Sequence, residues 1–124
     1  MDLAARRASL DAIYGPTSGD LTVELWVGRE GAGGVEVTGD GYAPGSLPDT
    51  DWDAADSDGV KRSSDLIDCG TPTEEWSDTI THYVLRGAGG VSWGCFRWNT
   101  PITIGGAGSP LMVQPAPFIG DNDN

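Results

Sequence analysis

Ser92 is the first residue of this chain to consider as a catalytic nucleophile. Gly90-Val91-Ser92-Trp93-Gly94 matches the Gly-x-Ser-x-Gly string of serine hydrolases. That string exposes a nucleophile only where a strand turns sharply into a helix, with an acid and then a histidine later in the chain. Here it falls in a predicted β-hairpin strand, and the single histidine, His82, precedes it. We therefore expect no hydrolase and, more generally, no enzyme.

His82 is also the one histidine that a metal site could use. Cys69 and Cys95 could converge on it, but their spacing matches no zinc-binding pattern. A hydrogen-bonded histidine on a strand is the simpler interpretation. Two cysteines are too few for a disulfide framework, so we expect buried, reduced thiols, while a bond between them stays open.

The densest acidic cluster is a candidate for calcium. Oxygen ligands on a flexible loop suit Ca²⁺, and the first three acids follow the register of an EF-hand loop. Ala54 stands where the turn glycine belongs, however, and no glutamate closes the loop. We expect no cofactor, with calcium or a basic patch on a partner as alternatives to a solvated loop. The cluster consists of Asp49, Asp51, Asp53, Asp56 and Asp58.

The overall charge narrows the choice of partners. The 124 residues include 19 acidic and 7 basic side chains, giving a formal net charge of −12. Phosphate backbones and anionic membrane surfaces repel such a chain, so neither nucleic acid nor membrane is an expected partner. No stretch looks like a signal peptide or a membrane span, so we expect a soluble protein made in a cytoplasm.

Five tryptophans are many for a chain of this length. Core packing accounts for most of them, but two stand in polar surroundings. Trp26 lies on the polar face of a predicted strand, and Trp52 lies in the acidic loop, where it is hard to bury. Large aromatic side chains in polar surroundings anchor protein interfaces. Both are therefore candidate contact residues.

The predicted elements are one short helix followed by strands. Residues 2–14 favour a helix that Asp2 caps and Gly15-Pro16 ends. Alternation predicts a strand over 21–27, a short strand over 35–37 and a hairpin of 79–86 with 91–98. A further strand is expected within 60–69, closing strands within 102–113, and a loop over 44–59.

These elements predict an all-β fold: a small antiparallel sandwich or barrel, jelly-roll-like, with a short N-terminal helix or arm. Residues 1–19 form the predicted helical arm, 20–114 the β domain, and 115–124 a Pro-rich and acidic tail. A helix this short needs a surface to dock on, either within the domain or on a partner.

The order of the motifs resembles a family of small tailed-bacteriophage virion proteins, often labelled tail-fibre-like. A short helix and a strand precede Gly39-Asp40-Gly41-Tyr42-Ala43. Then come Trp76, Thr81-His82-Tyr83, Gly89-Gly90 and Trp93-Gly94-Cys95-Phe96, before a closing glycine turn and strand over 105–113. Pro44, where the family usually has arginine, departs from the pattern, as do the Asp-rich loop and the Pro-rich tail.

The resemblance implies a non-enzymatic structural role on a phage particle. We interpret the chain as a capsid cement, or decoration, protein on the outer surface of the head, made in the cytoplasm of the bacterial host. The expected partners are the major capsid protein and further copies of the chain in a homo-oligomer. The alternative is a tail or fibre component that attaches to a host-surface glycan. The candidate contact residues are Leu3, Leu10, Tyr14, Trp26, Trp52 and Phe118.

Overall fold

The chain forms a mainly antiparallel β fold with one short N-terminal helix. The structure, a computed structural model, describes residues 2–119. A tight π-type turn over Ile13–Thr17 follows the helix, and a 3₁₀ turn over Ala88–Gly90 joins two long strands. In chain order the elements are α1 (Leu3–Ala12), β1 (Leu21–Val27), β2 (Val35–Glu36), β3 (Gly45–Leu47), β4 (Ile67–Asp68), β5 (Thr79–Arg86), β6 (Ser92–Thr103) and β7 (Met112–Val113).

The main sheet has the order β2-β1-β5-β6, with β3 also paired to β1. The strands predicted over 21–27 and 79–86, and the hairpin that follows the second, are confirmed. Alternation in β1 buries Leu21, Val23 and Leu25 on the core side, as the sequence pattern predicts. Strand β5 is buried from His82 to Leu85, because it lies between β1 and β6 in the sheet.

Strand β6 is longer than predicted and twice out of register with β5. Gly94, with φ of 131°, lies at the first irregularity, between the pairs Val84–Cys95 and Arg86–Ser92. At the second, Arg97 pairs with His82 while Ile102 pairs with Ile80. Residues 98–101 therefore lie opposite Thr81 alone and form a wide bulge. Bulges of this kind re-aim side chains at the edge of a sheet.

A second, less regular group of segments lies outside the main sheet, and we call it the irregular layer. Strands β4 and β7 pair as a two-stranded ribbon, and single bridges join Trp52 to Ser63 and Val60 to Phe118. The strand expected within 60–69 is therefore reduced to β4, because residues 60–63 pair only through isolated bridges and loop hydrogen bonds. The described strands do not close into a barrel.

The start of the predicted tail belongs to the domain. Pro115 and Pro117 are fully buried, and their carbonyls accept hydrogen bonds from the backbone N–H groups of Ser63 and Lys61. Because alternate carbonyls of residues 115–117 bond to residues 61–63, this segment lies alongside them as a strand would. The acidic end, residues 120–124, lies outside the described residues.

Helix α1 is docked on the domain rather than projecting from it. Asp2 caps it by accepting a hydrogen bond from the Ala5 N–H at 2.8 Å. Leu10 is fully buried, and the Arg7 guanidinium donates to the carbonyl oxygen of Ala55 at 3.1 Å. Among residues 2–119 no helix has the length and hydropathy needed to cross a membrane.

The predicted loop over 44–59 contains strand β3, which brings the main sheet against the ribbon. Gly41 and Gly70 approach each other closely there, both with positive φ, of 92° and 98°. A Cβ on Gly41 would overlap the Thr71 carbonyl oxygen, so only glycine fits. Tyr42 and Gly70 then form the bridge that connects the two layers.

We predict that Gly41→Ala destabilises the protein by about 2 kcal/mol or more, through left-handed strain and backbone overlap. Gly106→Ala is the matched control, because a Cβ there meets open space. Urea unfolding followed by tryptophan fluorescence measures both variants. Equal stability of the two variants would contradict the close approach of the layers at Gly41.

Candidate functional site

The predicted contact residues divide into buried and partly exposed positions. Leu10 and Tyr14 retain 0% and 7% of their exposure, so in this conformation they fasten the helix to the domain and offer no surface to a partner. Leu3 is 38% exposed. Trp26, Trp52 and Phe118 are half-buried.

Trp52 stays half-buried and packs one side against the core of the domain. Its ring lies 5.4 Å from that of Tyr14, and the backbone of Trp52 forms a β-bridge with Ser63. Trp26 is also held internally, since its Nε1 donates to the Glu24 carboxylate at 3.1 Å. No tryptophan in the chain is fully exposed.

Tyr14 connects the N-terminal segment to strand β6. Its hydroxyl donates to the carbonyl oxygen of Trp93 at 2.6 Å. Burial raises the pKa of this phenol to about 12, so it stays protonated and able to donate throughout the physiological range. The turn after the helix therefore has a fixed anchor on the sheet.

An aromatic cluster lies between β5, β6 and the C-terminal segment. The Tyr83 ring is 4.3 Å from Trp98 and 5.5 Å from Phe96, and Phe96 is 5.8 Å from Phe118. The Tyr83 hydroxyl accepts the backbone N–H of Ala116 at 2.8 Å. Burial raises the pKa of Tyr83 far above its ordinary value, because the phenolate would be desolvated.

A cleft of about 250 Å³ opens beside this cluster. Its walls come from the bulge of β6, from residue 62 and from the C-terminal segment, and a second depression continues it along the same bulge. Among the described residues that form the walls there is no carboxylate. The polar and aromatic side chains that line the cleft include Arg62, Arg97, Trp98, Asn99, Gln114 and Phe118.

Sequence reasoning missed this cleft because its residues are far apart in the chain. Arg97 and Trp98 are the last residues of the strand predicted over 91–98, and nothing in the strand pattern indicates the bulge that follows. A run without apolar alternation, Trp98-Asn99-Thr100-Pro101, was the only local sign of an irregularity.

A partly exposed ion pair joins the helix to the irregular layer. The Lys61 ammonium, 7% exposed, donates to the Asp11 carboxylate at 2.9 Å, and the Ala55 N–H donates to the same oxygen at 2.8 Å. The hydrogen bond from Lys61, followed by that from Ala55, lowers the pKa of Asp11 below its ordinary value. The carboxylate is therefore stabilised in its charged form.

A second ion cluster braces the outer face of the main sheet. The Arg86 guanidinium contacts Glu24 at 2.9 Å and Glu30 at 2.6 Å. The hydrogen bonds with these carboxylates raise the pKa of Arg86 above its ordinary value. Because Glu24 also accepts from Trp26, the cluster fixes the side chains on the polar face of β1.

The acidic loop uses its carboxylates internally. Asp56 accepts the N–H groups of Asp58 and Val60 and pairs with Arg62, while Asp53 accepts from the Ser64 hydroxyl. Among residues 2–119 no group of three or more histidine, cysteine, aspartate or glutamate side chains is arranged to hold a metal ion. The carboxylates of Asp53 and Asp56 thus stabilise the turns of the loop.

The hydrolase string does not form a nucleophile elbow. Ser92 begins a strand opposite Arg86, whereas His82 lies four residues further along β5, about 13 Å away. Thr81 Oγ1 lies 2.8 Å from His82 Nδ1, so this imidazole has a structural hydrogen bond. Cys69 and Cys95 form no disulfide, and burial raises the pKa of the Cys69 thiol to about 11.

Exposed aliphatic side chains gather on the outer side of the β4–β7 ribbon. Leu66 is 56% and Met112 is 45% exposed, while their neighbours Ile67 and Val113 are buried. Side chains alternate along a strand, so Met112 and its partner Asp68 lie on the outer side, and Leu66, two residues before Asp68, follows the same alternation. A shallow depression of about 410 Å³, lined in part by Pro72 and Leu111, includes Met112 in its wall. We call this surface, Leu66, Met112 and the depression, the ribbon face.

No family model, curated protein or solved structure matches this chain.

We predict that Asp11→Asn costs about 1 kcal/mol of unfolding free energy at pH 7, because it leaves the Lys61 ammonium without its counter-charge. The expected cost is small because the Asp11 side chain is 44% exposed and solvent screens the pair. A lowered folded-state pKa stabilises the protein above the unfolded value of 3.8, and this contribution disappears as pH falls below it.

Urea unfolding of the wild type and Asp11→Asn at pH 7 and at about pH 2 measures this dependence. The difference between the two proteins should shrink at the lower pH. Exposed Asp58 supplies the control variant, Asp58→Asn, which should change stability little at either pH. A cost of Asp11→Asn that is independent of pH would refute the assigned role of the ion pair.

Proposed function

We propose that this chain is a capsid cement protein of a tailed bacteriophage. It binds the outer surface of the assembled head, contacts the major capsid protein and stabilises the junctions between capsid subunits. It does so as a homo-oligomer and without catalysis or a cofactor. The finer architecture that we propose is a small sandwich, in which the ribbon and residues 51–53, 60–64 and 115–118 form the layer over the main sheet.

The ribbon face is the observation that carries this proposal. Leu66 and Met112 expose about half of their surfaces on a chain with a formal net charge of −12. Exposed aliphatic groups on so polar a surface favour association, because burying them against a neighbour removes apolar area from water. Copies that repel at long range can still be held by such short-range contacts.

The packed interior supports the same proposal. A cement protein stabilises a shell by binding its assembled state, and a domain that is already folded binds without a large ordering cost. Here the helix, the turn at Tyr14 and residues 115–119 are all anchored within the domain by the contacts described above. A rigid domain loses little conformational entropy on docking, and many weak contacts repeated over a lattice add up by avidity.

We predict that Leu66→Glu with Met112→Glu weakens binding to undecorated capsids of the phage that encodes this chain by about tenfold or more. Both changes place a charge where apolar burial is expected. Val35→Glu is the matched control, because Val35 is 60% exposed and lies on β2 of the main sheet, outside the ribbon. Co-sedimentation measures affinity, and electron microscopy locates the bound protein.

Labelling of the head that Leu66→Glu/Met112→Glu abolishes and Val35→Glu preserves is the expected result. Labelling of tail tips or of host cells would instead favour the alternative, a tail or fibre component that attaches to a surface glycan. The cleft beside Trp98 is the feature that favours this second function, since it combines aromatic rings with hydrogen-bond donors.

A further inference from the structure

Charge is absent from one long stretch of this acidic chain. No acidic or basic residue stands between Arg97 and Asp121, although 21% of all residues are charged. The structure spreads this stretch over the second half of β6, the loop that follows it, β7 and the C-terminal segment. The loop and β7 line the depression of the ribbon face, and each described residue in its wall is uncharged. A depression elsewhere is lined by Asp40, Glu74 and other acids.

The ribbon face combines an exposed apolar side chain with a space that can receive one. Met112 is 45% exposed and forms part of the wall of the depression. The volume of about 410 Å³ leaves room for the exposed part of a methionine side chain from another molecule. Methionine is unbranched and flexible, so it fills irregular gaps well. The surface therefore carries both halves of an apolar contact.

Backbone hydrogen bonds hold the walls of the depression in place. The Gly108 N–H donates to the carbonyl oxygen of Pro72 at 3.3 Å, which ties the loop after β6 to the opposite wall. The Leu111 N–H donates to the carbonyl oxygen of Gly70 at 2.7 Å and extends the pairing of β7 with β4. A surface that is already formed loses little conformational entropy when it associates.

Charge determines which surface of this protein can meet a second copy. A two-fold contact places each patch against the same patch of the other copy. Because the formal net charge is −12, most such contacts would bring carboxylates together, and like charges in contact are unfavourable. An uncharged patch avoids this repulsion. Asp68, the strand partner of Met112, is the acid next to the depression, and its carboxylate accepts the Gly70 N–H at 2.8 Å.

We propose that the ribbon face binds the ribbon face of a second copy around a two-fold axis, with Met112 of each copy seated in the depression of the other. The inference rests on the proposed function, which calls for a homo-oligomer, and it names the surface that forms the oligomer. A basic partner fits less well, because the depression offers it no carboxylate. An isologous contact closes at two copies, and a dimer attaches to the shell at two points.

The test is sedimentation equilibrium of the isolated chain at concentrations from about 10 μM to about 1 mM. We expect the mass to rise from 12.9 kDa towards twice that value, with a Kd on the order of 100 μM or tighter. Gly106→Asp should weaken the dimer at least tenfold, because it places a carboxylate in both depressions. Gly106→Asn is the matched control, since it differs from Gly106→Asp only in charge and should keep the dimer.

Position 106 tolerates both substitutions, because a Cβ there meets open space and the φ of Gly106 lies outside the left-handed region. Urea unfolding of the two variants verifies that both are folded. A second pair of variants tests the two-fold symmetry. Met112→Glu and Met112→Lys should each be monomeric alone, whereas an equal mixture should form at least tenfold more dimer, since the two side chains at position 112 meet across the axis.

Four outcomes would overturn the proposal: a monomer at every concentration, assembly beyond two copies, equal affinities of Gly106→Asp and Gly106→Asn, or no gain of dimer in the mixture. No capsid is present in this experiment, so its result is separate from that of the capsid assay. A monomer that labels heads removes this inference and leaves the cement function intact. A dimer that does not label heads leaves this inference intact and removes the cement function.

Discussion

The packing and the hydrogen bond of the buried Tyr83 side chain hold the C-terminal segment to the main sheet. Tyr83 lies in the central strand of the main sheet, retains 2% exposure and contacts aromatic rings on β6. A phenol so deeply buried needs a hydrogen bond, and the N–H of Ala116 supplies it at 2.8 Å. The C-terminal segment is thereby held against the sheet, and the cleft beside Trp98 exists because that segment forms one of its walls.

The N-terminal helix is fixed by a separate and equally local constraint. The Lys61 side chain is almost wholly buried, and its ammonium has the half-exposed Asp11 carboxylate as its counter-charge. The Asp11 carboxylate satisfies it and also accepts the Ala55 N–H, so one side chain joins the helix to two points of the irregular layer. A ten-residue helix is marginal by itself, and these contacts, with Leu10 in the core, explain why it forms.

The sequence was sufficient for the regular parts of the fold. Alternation located β1 and β5, and the glycine run at 87–90 located the hairpin, because these features depend on residues adjacent in the chain. It was insufficient for β3 and for the contacts of residues 115–118, which form only because distant segments supply their hydrogen bonds. Trp52 illustrates the same limit, since the acidic neighbours that suggested exposure say nothing about Tyr14, the ring it packs against.

The charge distribution affects how copies of the chain can associate through the ribbon face. Three of the seven cations, Lys61, Arg62 and Arg86, are paired with acids of the same chain, so little positive charge faces outward to attract another acidic copy. At physiological ionic strength, repulsion between copies is screened beyond about 8 Å, within which apolar contact can dominate. The affinity of an association through Leu66 and Met112 should therefore increase with added salt, because salt screens the repulsion between copies while the apolar contact acts by dehydration.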